Sequence, residues 1–176
     1  MSYICVDVES DGGLLGEYSM VCFGAVIVDK EGKLDKTFYG KTRPISKYYE
    51  PEALAISGFT REEHEQFDDP KEVMEAFARW INENSVDKPI LVSDNNGYDA
   101  SWINYYFLKY GMKNPFGWSS RRIGDLFCGF FKNAQYQWKR HRDKKRFPHN
   151  HHPVSDACGN ASALVWLVKQ GLKLKL

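Results

Sequence analysis

The sequence predicts an α/β fold of three layers, in which helices flank a five-stranded mixed sheet, and three observations carry that prediction. The first third of the chain is rich in β-branched and aromatic residues at strand spacing, the remainder alternates helical periodicity with two further apolar runs, and no repeat or low-complexity linker interrupts it. With 176 residues, 43% of them hydrophobic and 27% charged, the whole of 1–176 is expected to form a single domain with a sizeable core.

Taken in order, residues 3–8 form an apolar β-branched run that suits a first strand. Residues 20–29 and 36–43 supply the next two, joined by the turn-like Asp29-Lys30-Glu31-Gly32-Lys33, so the three make an antiparallel meander. Residues 51–56 open on a proline and suit a short helix, and Thr60 can cap a second helix with Glu63 at the capping-box position. Through 70–84 the apolar residues Val73, Met74, Phe77, Trp80 and Ile81 keep helical spacing, which gives that helix one face to lay on the sheet. Residues 88–93 are the fourth strand. A helix over 100–110 is closed by Gly111, a fifth strand is expected near 121–124, and a further helix begins around Asp125. The last helix is expected over 155–170, where Gly171 can end it. Strands first, then alternation, give a sheet that is antiparallel at one side.

A formal net charge of +1 does not announce a nucleic-acid binder, so attraction for phosphate has to come from a local patch. One exists in Trp138-Lys139-Arg140-His141-Arg142-Asp143-Lys144-Lys145-Arg146, where six lysines and arginines stand against one acid. Cys5, Cys22, Cys128 and Cys158 lack paired metal-ligand spacing, and three of them lie in apolar sequence, which suits reduced thiols rather than a disulfide framework. No basic segment precedes a long apolar stretch and no run is long enough to span a bilayer, so a cytoplasmic location and no membrane partner are expected.

The chemistry concentrates in three short segments. Asp7 and Glu9 lie two residues apart in Tyr3-Ile4-Cys5-Val6-Asp7-Val8-Glu9, which puts both carboxylates on one face of a strand. Side by side they repel, and one would keep its proton unless a divalent cation neutralised the pair. Asp99 follows the fourth strand at a helix entry, and Asp156 begins the last helix five residues after His151. Strand ends and helix starts converge on the crevice of an open α/β sheet, where these segments can meet. Singly, Asp99 and Asp156 also suit helix starts, and His151, standing between His149 and His152, also suits a histidine-rich surface loop. Only their joint order points to a metal site.

In that order the residues resemble the DEDDh (DnaQ-like) 3'-5' exonuclease superfamily, whose fold is ribonuclease H-like, over nearly the whole chain. The first motif reads Val6-Asp7-Val8-Glu9-Ser10, the second Val92-Ser93-Asp94-Asn95-Asn96-Gly97-Tyr98-Asp99, and the third His151-His152-Pro153-Val154-Ser155-Asp156-Ala157. The resemblance implies hydrolysis of phosphodiester bonds from the 3' end of single-stranded DNA or RNA, releasing nucleoside monophosphates. It also implies two cations about 4 Å apart that clamp the attacking and leaving oxygens. Oxygen ligands suit Mg²⁺ or Mn²⁺. By the family pattern Asp7 bridges both ions, Glu9 and Asp156 complete one site and Asp99 the other. His151 is then the general base, since a histidine can accept a proton from water near neutral pH. His149 is too far from Asp156, and His152 one residue too near, for the family spacing.

Substrate contacts are expected from Ser10, Gly12 and Leu14 after the first motif, with Leu14 an apolar wedge under the last base. Ser57 stands where many relatives carry histidine, and Asp11 where threonine is common before Gly12. Tyr98, Lys139, Arg140 and Arg142 complete the expected substrate set, the three basic residues through salt-dependent phosphate contacts. Tyr136, Trp138 and Trp118 are further loop aromatics of the kind that stack on bases. A homodimer is expected by family analogy only. Two other readings compete: a nucleic-acid-binding module that has lost catalysis, and a phosphodiesterase restricted to short oligonucleotides. The first is opposed by the intact set of five site residues, the second by the basic segment.

Overall fold

The computed structural model describes residues 2–29 and 31–174. In chain order the elements are β1 (Ser2–Ser10), β2 (Met20–Val28), β3 (Thr37–Lys41), α1 (Pro51–Ile56), α2 (Arg61–Glu65), α3 (Pro70–Asn84), β4 (Pro89–Ser93), α4 (Asn96–Lys109), β5 (Ser120–Arg122), α5 (Ile123–Phe131) and α6 (Pro153–Lys169), with a 3-10 turn at Trp138–His141 before α6. The five strands form one sheet in the order β3-β2-β1-β4-β5. β1 runs antiparallel to β2 and parallel to β4, so it is central, as its unbroken apolar run predicts.

Because side chains alternate along β1, its two faces serve two cores. Ile4, Val6 and Val8 pack with Phe77 of α3 and with Trp102 and Tyr106 of α4. Tyr3 and Cys5 pack on the other side with Ala157, Ala161 and Leu164 of α6. Asp7 and Glu9 continue that second face toward the strand end, which aims both carboxylates at the start of α6. A register shift between Glu9 and Ser10 ends the regular pairing with β2 just past them.

Glycine sets how closely α6 approaches. Gly24 of β2 is the register partner of Asp7, and a Cβ built on it would lie 2.3 Å from the Pro153 carbonyl carbon and the Val154 nitrogen. Backbone cannot yield there as a side-chain tip could. Gly24→Ala is therefore expected to destabilise the protein by roughly 1–3 kcal/mol through overpacking, and to lower activity further by displacing the helix start that carries Asp156. Urea unfolding paired with an activity assay reads both effects.

Several boundaries differ from the sequence expectation. The capping box at Thr60 and Glu63 forms as expected. α4, however, begins at Asn96 rather than after Asp99, so Asp99 lies inside its first turn. β5 stops at Arg122, and Ile123 is already helical. α6 starts at Pro153, whose fixed φ suits a first helical position. Within the turn expected at 29–33, Lys30 lies outside the described residues, and the Asp29 carboxylate accepts from the Gly32 and Lys33 N–H groups. Among the described residues no helix is long and apolar enough to cross a membrane.

Candidate active site

The carboxylates converge from three directions at the end of β1. Pairing of β1 with β4 extends only as far as Cys5 and Val92, leaving the β1 backbone beyond it open on that side. Asp99 fills the gap: its Oδ1 accepts the Val8 N–H at 3.2 Å, which brings the α4 carboxylate against the strand that carries Asp7 and Glu9. Asp156 arrives from α6. Asp99 and Asp156 are each 2% exposed, yet the Oδ2 atom of each is buried with no hydrogen-bond partner. Two orphaned carboxylate oxygens are costly unless a cation completes them.

Electrostatics agree with the geometry. Burial first, and then the charges of Asp99, Asp156 and Glu9, push Asp7 well above the usual carboxylate range, against an opposing pull from Arg142. Burial, followed by the Asp156 charge, raises Glu9 to about 7. Burial raises Asp99 to about 7 as well, although the Ser93 hydroxyl and then the Val8 N–H work the other way. Crowded carboxylates pushed toward protonation at neutral pH fit a divalent-cation site; hard oxygen donors of this kind select Mg²⁺-like ions.

Both neighbouring histidines reach the cluster, and ligand atoms of His149, His151 and Asp156 lie within 4.8 Å of one another. His151 Nδ1 lies 3.7 Å from Glu9 Oε1, and its side chain is 52% exposed. Its backbone takes φ +58, the left-handed region that histidine enters uncommonly, so the loop holds this residue in a costly conformation. His149, set aside on spacing, places its Nδ1 2.7 Å from Asp156 Oδ1. His152 instead stacks against Tyr39.

Arg142 requires a correction. The sequence places it among the phosphate contacts, whereas its side chain is 6% exposed and its Nη2 donates to Asp156 Oδ1 at 2.7 Å. Gly159 makes room for it, since a Cβ there would lie 2.5 Å from Nη2. Arg142 thus neutralises the acidic cluster from behind and is not offered to a strand. Two of its neighbours are exposed: Lys139 bridges to Asp94 Oδ2 at 2.6 Å, and Arg140 lies 4.8 Å over the Tyr136 ring. Trp138 is buried and Tyr136 stacks face to face on Phe131, so both belong to the core rather than to a base-stacking surface.

Three of the expected substrate contacts are also turned inward. The Ser10 hydroxyl donates to the Gly12 carbonyl at 2.5 Å and pairs with the Tyr98 hydroxyl. Gly12 is buried because the Tyr18 ring packs where its Cβ would be. Ser57 is buried at the end of α1, and its hydroxyl donates to the Leu54 carbonyl at 2.6 Å. These residues shape the loop instead of presenting free groups. Leu14 does project, at 58% exposure.

Asp11 explains why it projects, and sequence reasoning missed its role. Fully buried, Asp11 accepts the Ser19 N–H at 2.5 Å and Arg61 Nη1 at 3.1 Å, while its carbonyl accepts the Glu50 N–H at 2.7 Å. It therefore clamps both ends of the Leu14 loop to α2 and to the start of α1. The signal for Arg61 is absent from spacing, because the pair is 50 residues apart.

The fold is that of the DEDDh exonucleases. Superposition on the nuclease domain of 3'hExo, a DEDDh family member bound to rAMP, gives a TM-score of 0.79 at 17% identity, covering 99% of this chain and 94% of that one. Escherichia coli Exonuclease I in complex with a dA16 oligonucleotide gives 0.75 at 15% identity, covering 97% of this chain and 41% of that larger one. Among curated proteins, the Escherichia coli 3'-5' DNA exonuclease Cap18 is 36% identical over 132 residues, which are 72% of this chain and 68% of that protein. Residues 2–167 match the family described as the 3'-5' exoribonuclease Rv2179c-like domain, and the chain belongs to that family. By that membership it is a 3'-5' exonuclease of nucleic acid.

Proposed function

We propose that residues 1–176 act as a single exonuclease domain that trims single-stranded nucleic acid from its 3' end and releases nucleoside monophosphates. The observation that carries this reading is the pair of buried, unpartnered oxygens on Asp99 and Asp156 beside the crowded Asp7 and Glu9. Asp7 would bridge two cations, Glu9 and Asp156 would hold one with it, and Asp99 the other. Mg²⁺ or Mn²⁺, when bound, supplies charge neutralisation and an electrophilic clamp on the reacting phosphate.

The chain's own groups do the rest. Burial of Asp99 and Asp156 fixes their rotamers, so the oxygens are held in place before substrate arrives. Arg142 orients Asp156 by donating to its Oδ1. His151, exposed beside Glu9, takes the proton from the attacking water. Tyr98 and Leu14 border the terminal nucleotide, while Lys139 and Arg140 attract phosphates in a salt-dependent way.

DNA is the first substrate to examine, since the 36% identical relative is named a DNA exonuclease, and RNA the second, since the family description names an exoribonuclease. Matched 5'-labelled DNA and RNA single strands, incubated with Mg²⁺, Mn²⁺ or chelator, test the reading. A ladder shortening from the 3' end, lost in chelator, is expected. Absence of metal-dependent trimming on both strands would remove the proposed function.

A further inference from the structure

A cleft of about 250 Å³ opens between α4 and the loop leading into β5, on the first turns of the same helix that carries Asp99. The loop beside it is tightly built. The Asn114 amide Nδ2 donates to Asn104 Oδ1 at 3.1 Å and to the Gly117 carbonyl at 3.2 Å, and Asn114 Oδ1 accepts the Phe116 N–H at 3.0 Å. Phe116 is buried and Gly117 takes φ +71, a turn that sends the next residue outward.

That residue is Trp118, 84% exposed at the rim of the cleft. The other four tryptophans are buried or half-buried. The pinned loop holds the indole in water with its ring face free to stack. Two amide groups of the cleft are also left without partners. Asn96 Oδ1 is shielded from solvent without a partner, and Asn104, whose Oδ1 is engaged, has no acceptor for its own amide Nδ2 among the described residues.

An exposed aromatic face beside unpaired amide groups is the combination that a nucleobase uses, by stacking and by edge hydrogen bonds. A basic rim joins the cleft to the carboxylates. Arg121 follows Ser120 of the cleft wall, Arg122 Nε donates to the Asp94 carbonyl at 3.2 Å, and Lys139 pairs with the Asp94 carboxylate. Asp94 lies on the short connection between β4 and α4, beside the turn that carries Asp99.

We propose that this cleft binds a nucleobase of the single strand upstream of the scissile bond, stacked on Trp118, with Arg121, Arg122 and Lys139 along the intervening phosphates. The inference rests on the exonuclease reading and deepens it: strands of several nucleotides are preferred to dinucleotides.

The test compares wild type, Trp118→Ala and Trp118→Tyr on dinucleotides and octanucleotides of deoxythymidine and of uridine. Intrinsic tryptophan fluorescence is followed as the octanucleotides are added in chelator, where hydrolysis is arrested. Trp118→Ala is expected to raise the octanucleotide KM by about tenfold and to leave dinucleotide kcat/KM within about twofold. It is also expected to remove the fluorescence quench that the octanucleotide causes in the wild type, with Trp118→Tyr recovering most of the affinity. An unchanged octanucleotide KM in Trp118→Ala, or an equal loss on the dinucleotide, overturns the upstream site while the exonuclease reading stands. A wild type that trims neither strand overturns both.

Discussion

Asp7→Asn is expected to slow 3'-end trimming by on the order of 10³-fold or more, while leaving the metal-free fold at least as stable as the wild type near neutral pH. Activity falls because Asp7 is the carboxylate that would serve both cations. Stability moves the other way because the wild-type cluster is internally repulsive without metal. Burial and neighbouring charges raise Asp7, and they raise Glu9 and Asp99 to about 7 from 4.5 and 3.8. Between those lower and upper values the folded protein holds protons that the unfolded chain has released. The metal-free wild type therefore loses stability as pH rises through the window, the Glu9 and Asp99 share of that stability being lost as pH passes through about 7. An amide at position 7 removes one charge from the cluster, so Tm of the variant should exceed that of the wild type more at pH above the window than below it. Added Mn²⁺ should raise wild-type Tm, most strongly at the higher pH, and should raise the variant's far less. Trimming by Asp7→Asn above a tenth of the wild-type rate would remove Asp7 from the bridging role.

The parts of the site legible in the sequence are those fixed by local periodicity. Asp7 and Glu9 occupy alternate positions of an apolar run, and only one strand face can hold both. The central place of β1 followed from the same run, and the order of strands and helices predicted the mixed sheet. Asp99 was legible as a residue but not as a position. Asn95, Asn96 and Gly97 have weak helical propensity, yet the helix starts among them because Asp99 can satisfy the open Val8 N–H only from its first turn. Charge patterning misled most. The run 138–146 reads as a solvated phosphate-binding stretch, but Trp138 is buried within it and the space above Gly159 admits Arg142 to Asp156. No spacing rule signals such a return, because it depends on how a loop folds back over a helix. Ser57, Ser10 and Asp11 were obscured for the same reason: their partners are backbone groups or residues distant in the chain.

The assignment of the base turns on two histidines that both reach the carboxylates, and His151→Asn separates chemistry from backbone strain. Asparagine tolerates the left-handed conformation that residue 151 adopts, so this variant should fold as the wild type does, whereas alanine there would add a backbone cost. Loss of a general base is expected to lower kcat by roughly 10²–10⁴-fold, with Tm and metal-induced stabilisation nearly unchanged. His149 supplies the counter-test. Its Nδ1 is engaged by Asp156 at 2.7 Å, the oxygen that also accepts from Arg142, so that nitrogen is already committed to the carboxylate. His149→Asn should cost less than about tenfold, because Arg142 continues to orient Asp156. Should His149→Asn instead show the larger loss in kcat while His151→Asn costs less than about tenfold, the base is His149, and the left-handed conformation at 151 serves only to shape the loop.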